Sequence, residues 1–313
     1  LGFIGFSVPF AFAMGGLILG KMDNEWVMTT RRWTLTAWYF LSAGLILGGQ
    51  WAYEELGWGG FWAWDPVENA ALMPWLTGTA FLHSVMIQEK RNMLKIWNVV
   101  LIILTFGLTI VGTFLTRSGI INSVHAFTQS EIGPAFLIFL AFILVIGFSL
   151  LFKRIQMLES EHKIESVLCR ENTFLAQNVL LVGIAFTVLL GTTFPLLAEA
   201  VRGTKLSIQA PFFNTIIAPM GYLVLFLMGI GTLIGWRKSS WEGLSRNFKK
   251  PFILATAGTV FLWWLLSDRN LLWNVHLIFW LTIFVSSTII FEIVKSIQVK
   301  SSQAKSNYLM GLF

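Results

Sequence analysis

The stretch WGGFWAWDPVENAALMPW, residues 58–75, decides how this chain is read, because it places an acid, a proline and two adjacent glycines where an apolar segment would otherwise continue. Five of the 15 tryptophans, Trp51, Trp58, Trp62, Trp64 and Trp75, lie in it or just before it. The chain around it has 313 residues, is 56% hydrophobic and only 12% charged. Its positive mean hydropathy is one that a water-soluble domain of this size has no use for. The composition is that of a membrane protein.

Working outward, apolar runs near the length needed to cross about 30 Å of hydrocarbon can be drawn at 1–20, 34–53, 70–88, 97–116, 134–152, 173–195, 215–236, 251–267 and 272–294. The expected fold is therefore an all-α polytopic integral membrane protein with about nine transmembrane helices. Alternate connecting intervals hold 18 of the 22 Lys and Arg residues. The positive-inside rule assigns those intervals to the cytoplasm. The tryptophan-rich stretch then faces outward, the periplasm in a bacterium. Leu1 starts within an apolar helix with no initiator Met, positive leader or cleavage site, and SNYLMGLF at the other end could open a further span. The chain reads as a fragment continuing at both ends. Its parts are a core over 1–152 with five spans and their outer loops, and spans six to nine over 153–313 in the same membrane domain.

Within the stretch, Asp65 as N-cap, Pro66 at the first helical position and Glu68 at the third make a capping box. Gly59 and Gly60 permit a tight turn before it. The tryptophans fit an interfacial aromatic belt. Five of them with Tyr53 and Phe61, on a loop without basic residues, exceed what anchoring requires, and a flat, largely apolar ligand suits such a surface.

Four histidines could serve a metal. His162, among Glu159, Glu161, Lys163 and Glu165, reads as a solvated loop residue, and His276, beside Trp273 and Asn274, as an interfacial one. His125 lies on the outer loop after the fourth span, where loop packing and metal ligation are equally open. His83 sits inside a span, seven residues or roughly 10 Å from Lys90, where an ionisable side chain is costly and marks a functional site by default. The helix from Asp65 to His83 advances 18 residues, roughly 27 Å, so one helix can border an outer site and carry a ligand of a deeper one. The single cysteine, Cys169, excludes a disulfide framework, an iron–sulfur site of the chain's own and a CxxCH attachment sequence.

The stretch resembles the WWD motif of the haem-handling proteins of cytochrome c maturation. FLHSVM, GTFLTRSGIINSVHAF and the opening LGFIGFSVPFAFAM resemble the CcmF (NrfE-like) branch of that family, over roughly 1–135 and more loosely beyond. The resemblance implies a haem platform at the periplasmic face of the bacterial inner membrane, built on Trp58, Trp62, Trp64, Asp65 and Trp75. It also implies that His125 is one axial ligand of the outer haem and His83 one axial ligand of an embedded b-type haem, with the other two histidines before Leu1 and beyond Phe313. Arg117 is the candidate propionate partner, against a snorkelling interface arginine as the alternative. The implied reaction joins haem vinyl groups to the CxxCH thiols of apocytochrome c, with no catalytic residue assigned. The partners it implies are the apocytochrome, a CcmE-like haem chaperone, other maturation subunits, lipid and quinol, and not nucleic acid. A CcmC-like scaffold that delivers haem without forming the thioether is the alternative. An ion-coupled transporter fits poorly, because the span centres lack acids.

Overall fold

A computed structural model describes residues 1–57, 60–118, 132–160, 164–203, 206, 208–269 and 271–310, without the side chains of Asn24 and of 302–310. The described residues are helical and contain no strand. The helices are α1 (Gly2–Gly5), α2 (Ser7–Leu19), α3 (Asn24–Glu55), α4 (Pro66–Arg91), α5 (Lys95–Arg117), α6 (Gly133–Lys153), α7 (Arg170–Arg202), α8 (Ala210–Leu233), α9 (Trp241–Leu265) and α10 (Trp273–Met310).

Seven of the helical segments are long and apolar enough to cross a bilayer: Gly2–Leu19, Pro66–Arg91, Lys95–Arg117, Gly133–Lys153, Arg170–Arg202, Ala210–Leu233 and Trp273–Ser301. The chain is a multi-pass membrane protein. The two other expected spans, 34–53 and 251–267, fall largely inside α3 and α9. Polar and interfacial residues such as Tyr39, Gln50 and Trp51 in α3, and Lys249 and Lys250 in α9, lower the apolar content of these two helices.

The chain divides into two compact units. The first comprises Leu1–Lys163 and Asn178–Ala218, the second Ile164–Gln177 and Pro219–Phe313. In the first unit α4 is the central element, packed by α3 and α5, and α2 lies against α3 and α5. In the second, α9 packs on α10.

The helix α4 begins with the expected box: Val67 N donates to Asp65 Oδ1 (2.9 Å), and Asp65 N donates to Glu68 Oε2 (3.2 Å). It then continues through Pro74 to Arg91. Proline lacks the N–H that would bond the carbonyl four residues back, here Ala70 O. The freed carbonyl lies against Gly112 of α5, where an added Cβ would stand 3.1 Å from that oxygen and 3.1 Å from the Phe3 ring. Small residues let membrane helices approach closely, and the Cα–H groups exposed there can meet such a carbonyl. Gly112→Val is expected to destabilise the first unit by about 1–3 kcal/mol through overpacking. Thermal unfolding of the purified protein checks this, and a variant as stable as the parent contradicts the close packing.

Candidate haem platform

The chain leaves α3 at Glu55 and reaches α4 at Pro66, and the described part of this connection is tied down residue by residue. Among the described residues of this connection the left-handed positions are Gly57 (φ 62°) and Trp64 (φ 60°). The turn therefore bends at a tryptophan as well as at a glycine. A bulky residue in this region costs about 1–3 kcal/mol and persists only when its surroundings hold it.

Contacts through Phe213, Asn214, Asn69 and Glu68 provide that hold. The Trp64 ring stacks on Phe213 (centroids 5.0 Å apart, planes at 13°), and its Nε1 donates to Asn214 Oδ1 at 2.8 Å. Asn69 Nδ2 donates to Trp64 O and to Thr192 Oγ1, both at 3.0 Å. Glu68 Oε2 accepts from Ala63 N (3.0 Å) as well as from Asp65 N. One carboxylate thus serves the helix cap and the loop before it. Glu68→Ala is expected to cost about 2–4 kcal/mol, since it removes a cap and charge-assisted bonds. Glu68→Gln should recover part of that loss, and equal unfolding midpoints for all three proteins would contradict the assignment.

With Trp64 anchored this way, Trp62 takes a different role. It meets Trp64 edge-on at 5.8 Å and, with Phe61, Leu72 and Trp75, lines a groove whose opposite wall is Ser42, Leu45, Ile46 and Gly49 of α3. The groove offers a volume of about 440 Å³. That lies within the range of about 300–1,000 Å³ common for small-molecule sites. Its wall is organised by paired indoles: Trp75 Nε1 donates to Ser42 Oγ (2.7 Å), Trp38 Nε1 to Thr79 Oγ1 (2.8 Å), and the two rings stack at 5.9 Å. Tyr53 stacks on Phe61 at 4.5 Å. At Gly49 an added Cβ would stand 3.0 Å from Phe61 O, so the loop lies directly on the helix. Trp62 Nε1 is buried and has no hydrogen-bond partner among the described residues. An orphaned buried donor costs about 1–3 kcal/mol, which a ligand acceptor can offset.

Along α4 the less covered residues Leu72, Trp75, Thr79, His83 and Met86 follow helical spacing, so His83 lies on the stripe that forms the groove wall. Eight residues separate it from Trp75, about 12 Å along the axis. Arg117 is exposed in the last turn of α5, where a cation complements the helix dipole. A Cβ added at Gly133 would stand 3.2 Å from Ser118 Cβ, so the end of α5 and the start of α6 meet at one place. Because Gly112 faces Ala70, that place is at the end of α5 beside the start of α4. His125, His162 and Trp58 lie outside the described residues. In the second unit, Nδ1 of His276 is 3.1 Å from Leu272 O of its own chain segment. Cys169 is buried, and burial, with the nearby Glu171 carboxylate adding to it, pushes its thiol above the ordinary value. It is therefore protonated and unreactive at neutral pH.

Sequence reasoning passed over Ser42, Trp38, Asn69 and Phe213 as parts of the site. Only the WAW spacing before a cap hinted that the loop needed partners elsewhere.

Residues 1–121 match the family of cytochrome C assembly proteins. The chain is 42% identical over 291 residues to the cytochrome c-type biogenesis protein CcmF of Pseudomonas aeruginosa, covering 91% of this chain and 43% of that protein. To CcmF of Escherichia coli strain K12 it is 44% identical over 271 residues, covering 86% and 42%. To NrfE of Haemophilus influenzae it is 39% identical over 244 residues, covering 77% and 38%. The solved structure of the cytochrome c heme lyase CcmF superposes with a TM-score of 0.74 at 37% identity, covering 94% of this chain and 44% of that one. The chain spans less than half the length of these relatives.

Proposed function

Because the chain belongs to the CcmF-like family of cytochrome c biogenesis proteins, we propose that it forms the haem-binding core of a haem lyase acting on apocytochrome c. In this reading all nine segments cross the bacterial inner membrane, the WAWD loop is periplasmic, and the basic intervals are cytoplasmic. The observation that carries the proposal is the apolar groove lined by Trp62 and Trp75, with the buried Trp62 Nε1 lacking an acceptor.

The substrate haem lies with one face along these indoles, and Trp62 Nε1 donates to an acceptor on its edge. His125 supplies an axial imidazole from the neighbouring loop, and Arg117 pairs with a propionate. The groove holds the vinyl edge toward the incoming CxxCH segment, so that much of the rate gain is positional. In each ligation a cysteine S–H adds across a vinyl C=C: the C–S bond forms on one carbon and the proton goes to the other. No net oxidation occurs in that addition. The one thiol of this chain, Cys169, is buried and protonated, which keeps it from competing for the vinyl groups.

The His83 imidazole, on the less covered stripe of α4, would hold a resident b-type haem. When bound, that group would provide redox chemistry, with quinol as the reductant that keeps the substrate iron ferrous. A CcmE-like chaperone is the haem donor in this scheme.

Trp62→Leu is expected to lower co-purifying haem and holocytochrome yield several-fold at an unchanged membrane level, a loss of about 1–3 kcal/mol of stacking and donor contact. Haem is quantified as the pyridine haemochromogen and holocytochrome by haem-dependent peroxidase staining. Retention equal to the parent would leave Trp62 with an anchoring role only. Bound haem together with apocytochrome that never acquires thioethers would favour delivery over ligation.

A further inference from the structure

In the second unit the first three turns of α9 and the end of the apolar part of α10 come together around two adjoining cavities. Their volumes are about 300 and 460 Å³, and they share Leu233, Asn247, Glu292 and Lys295 in their walls. Arg170 lines the first, and Arg246 and Lys250 line the second. Four cations thus stand against one carboxylate, Glu292. Among the described residues Arg246, Lys250 and Lys295 form no ion pair, so their charge is not spent within the protein.

The Arg170 guanidinium is held in place rather than mobile. Its Nε donates to Ile234 O (2.9 Å), its Nη2 to Thr232 O (2.6 Å), and it stacks over Trp236 at 5.5 Å. Depth is set by the sequence. Lys249 and Lys250 precede the apolar run of α9, and Lys295 follows that of α10. The cations therefore lie where the hydrocarbon ends. Beside them the second cavity has an apolar wall of Pro251, Phe291 and Val294 that continues toward the membrane interior. A pocket with charge at headgroup depth and an apolar flank is chemically matched to a lipid rather than to a soluble anion.

We propose that this pocket binds one acidic phospholipid, its phosphate between Arg246 and Lys295 with Arg170 behind, and its acyl chain along Phe291 and Val294. Glu292 repels the headgroup and limits affinity, so that the lipid exchanges with the bilayer.

The test uses the intact protein in nanodiscs that mix phosphatidylglycerol, phosphatidylethanolamine and phosphatidylcholine, with the lipid retained on the protein analysed by native mass spectrometry. Phosphatidylglycerol should be enriched over its bulk share, and Arg246→Gln and Lys295→Gln should each reduce the enrichment about fivefold, the effect expected per cation at a membrane surface. Glu292→Gln should raise it. That gain-of-binding variant keeps the proposal testable even if a charge removal perturbs folding. Lys153→Gln with Lys238→Gln removes two cations outside the pocket and should leave the enrichment unchanged. An equal loss in that control would mean diffuse surface attraction and overturn the site. Equal enrichment of phosphatidylethanolamine would overturn the preference for an acidic lipid. Stabilisation by inorganic phosphate to the same extent as by phosphatidylglycerol would overturn the assignment to lipid.

Discussion

Gly191→Leu is expected to destabilise the protein by about 2–4 kcal/mol. The reason lies two contacts away from the groove. An added Cβ at Gly191 would stand 2.5 Å from the Phe213 ring and 3.1 Å from that of Phe212. Phe213 is only 2% exposed and has no room to retreat. Its ring is the surface on which Trp64 stacks, so displacing it releases a tryptophan whose backbone is already in a costly conformation. The thermal midpoint should fall for Gly191→Leu and fall less for Gly191→Ala, and tryptophan fluorescence should shift as Trp64 becomes solvated. A parent-like midpoint and emission for Gly191→Leu would show that Trp64 does not depend on this seat.

His125→Ala and His83→Ala are expected to separate two haem sites in the full-length protein. With His125 replaced, holocytochrome formation should fall by at least about 100-fold, because an iron that loses an axial imidazole is neither held nor positioned. The embedded b-type spectrum should remain. With His83 replaced, that spectrum should disappear while the protein still inserts. The physical basis is separation along α4. His83 is 18 residues from Asp65, roughly 27 Å in a helix that continues unbroken through Pro74. In the proposed reading His125 stands near the Asp65 end of α4, and one iron cannot draw ligands from both ends. Reduced-minus-oxidised spectra and haem staining of the apocytochrome partner provide the readouts. Loss of all haem from a stable His125→Ala protein would mean a single shared site.

Trp62 and Trp64 show where legibility ended. The two residues are interchangeable on paper, both part of an aromatic run before a helix cap. In the folded chain one lines the groove and the other reaches some 150 residues along the sequence, stacking on Phe213 and donating to Asn214. In the sequence Glu68 is half of a capping box, whereas its bond to Ala63 N depends on the path of the loop. The Gly59–Gly60 pair drew attention as the turn, whereas among the described residues the left-handed positions of that connection are Gly57 and Trp64.

What the amino-acid order determined alone is chemistry that acts over a few residues or by composition. The length of the apolar runs implied an all-α membrane protein, since only helices or closed barrels satisfy the backbone in hydrocarbon. Asp65, Pro66 and Glu68 specified where α4 begins, because a cap is made with N–H groups two and three residues ahead. The tertiary structure alone decided which face of each helix is covered. In a water-soluble helix an apolar stripe announces the buried side, but lipid and protein interior are equally apolar, so no such stripe is required here. The groove, the seat of Trp64 and the contact between the Pro74-freed carbonyl and Gly112 depend instead on shape, the presence or absence of a side chain at one point of a partner helix, which no local pattern records.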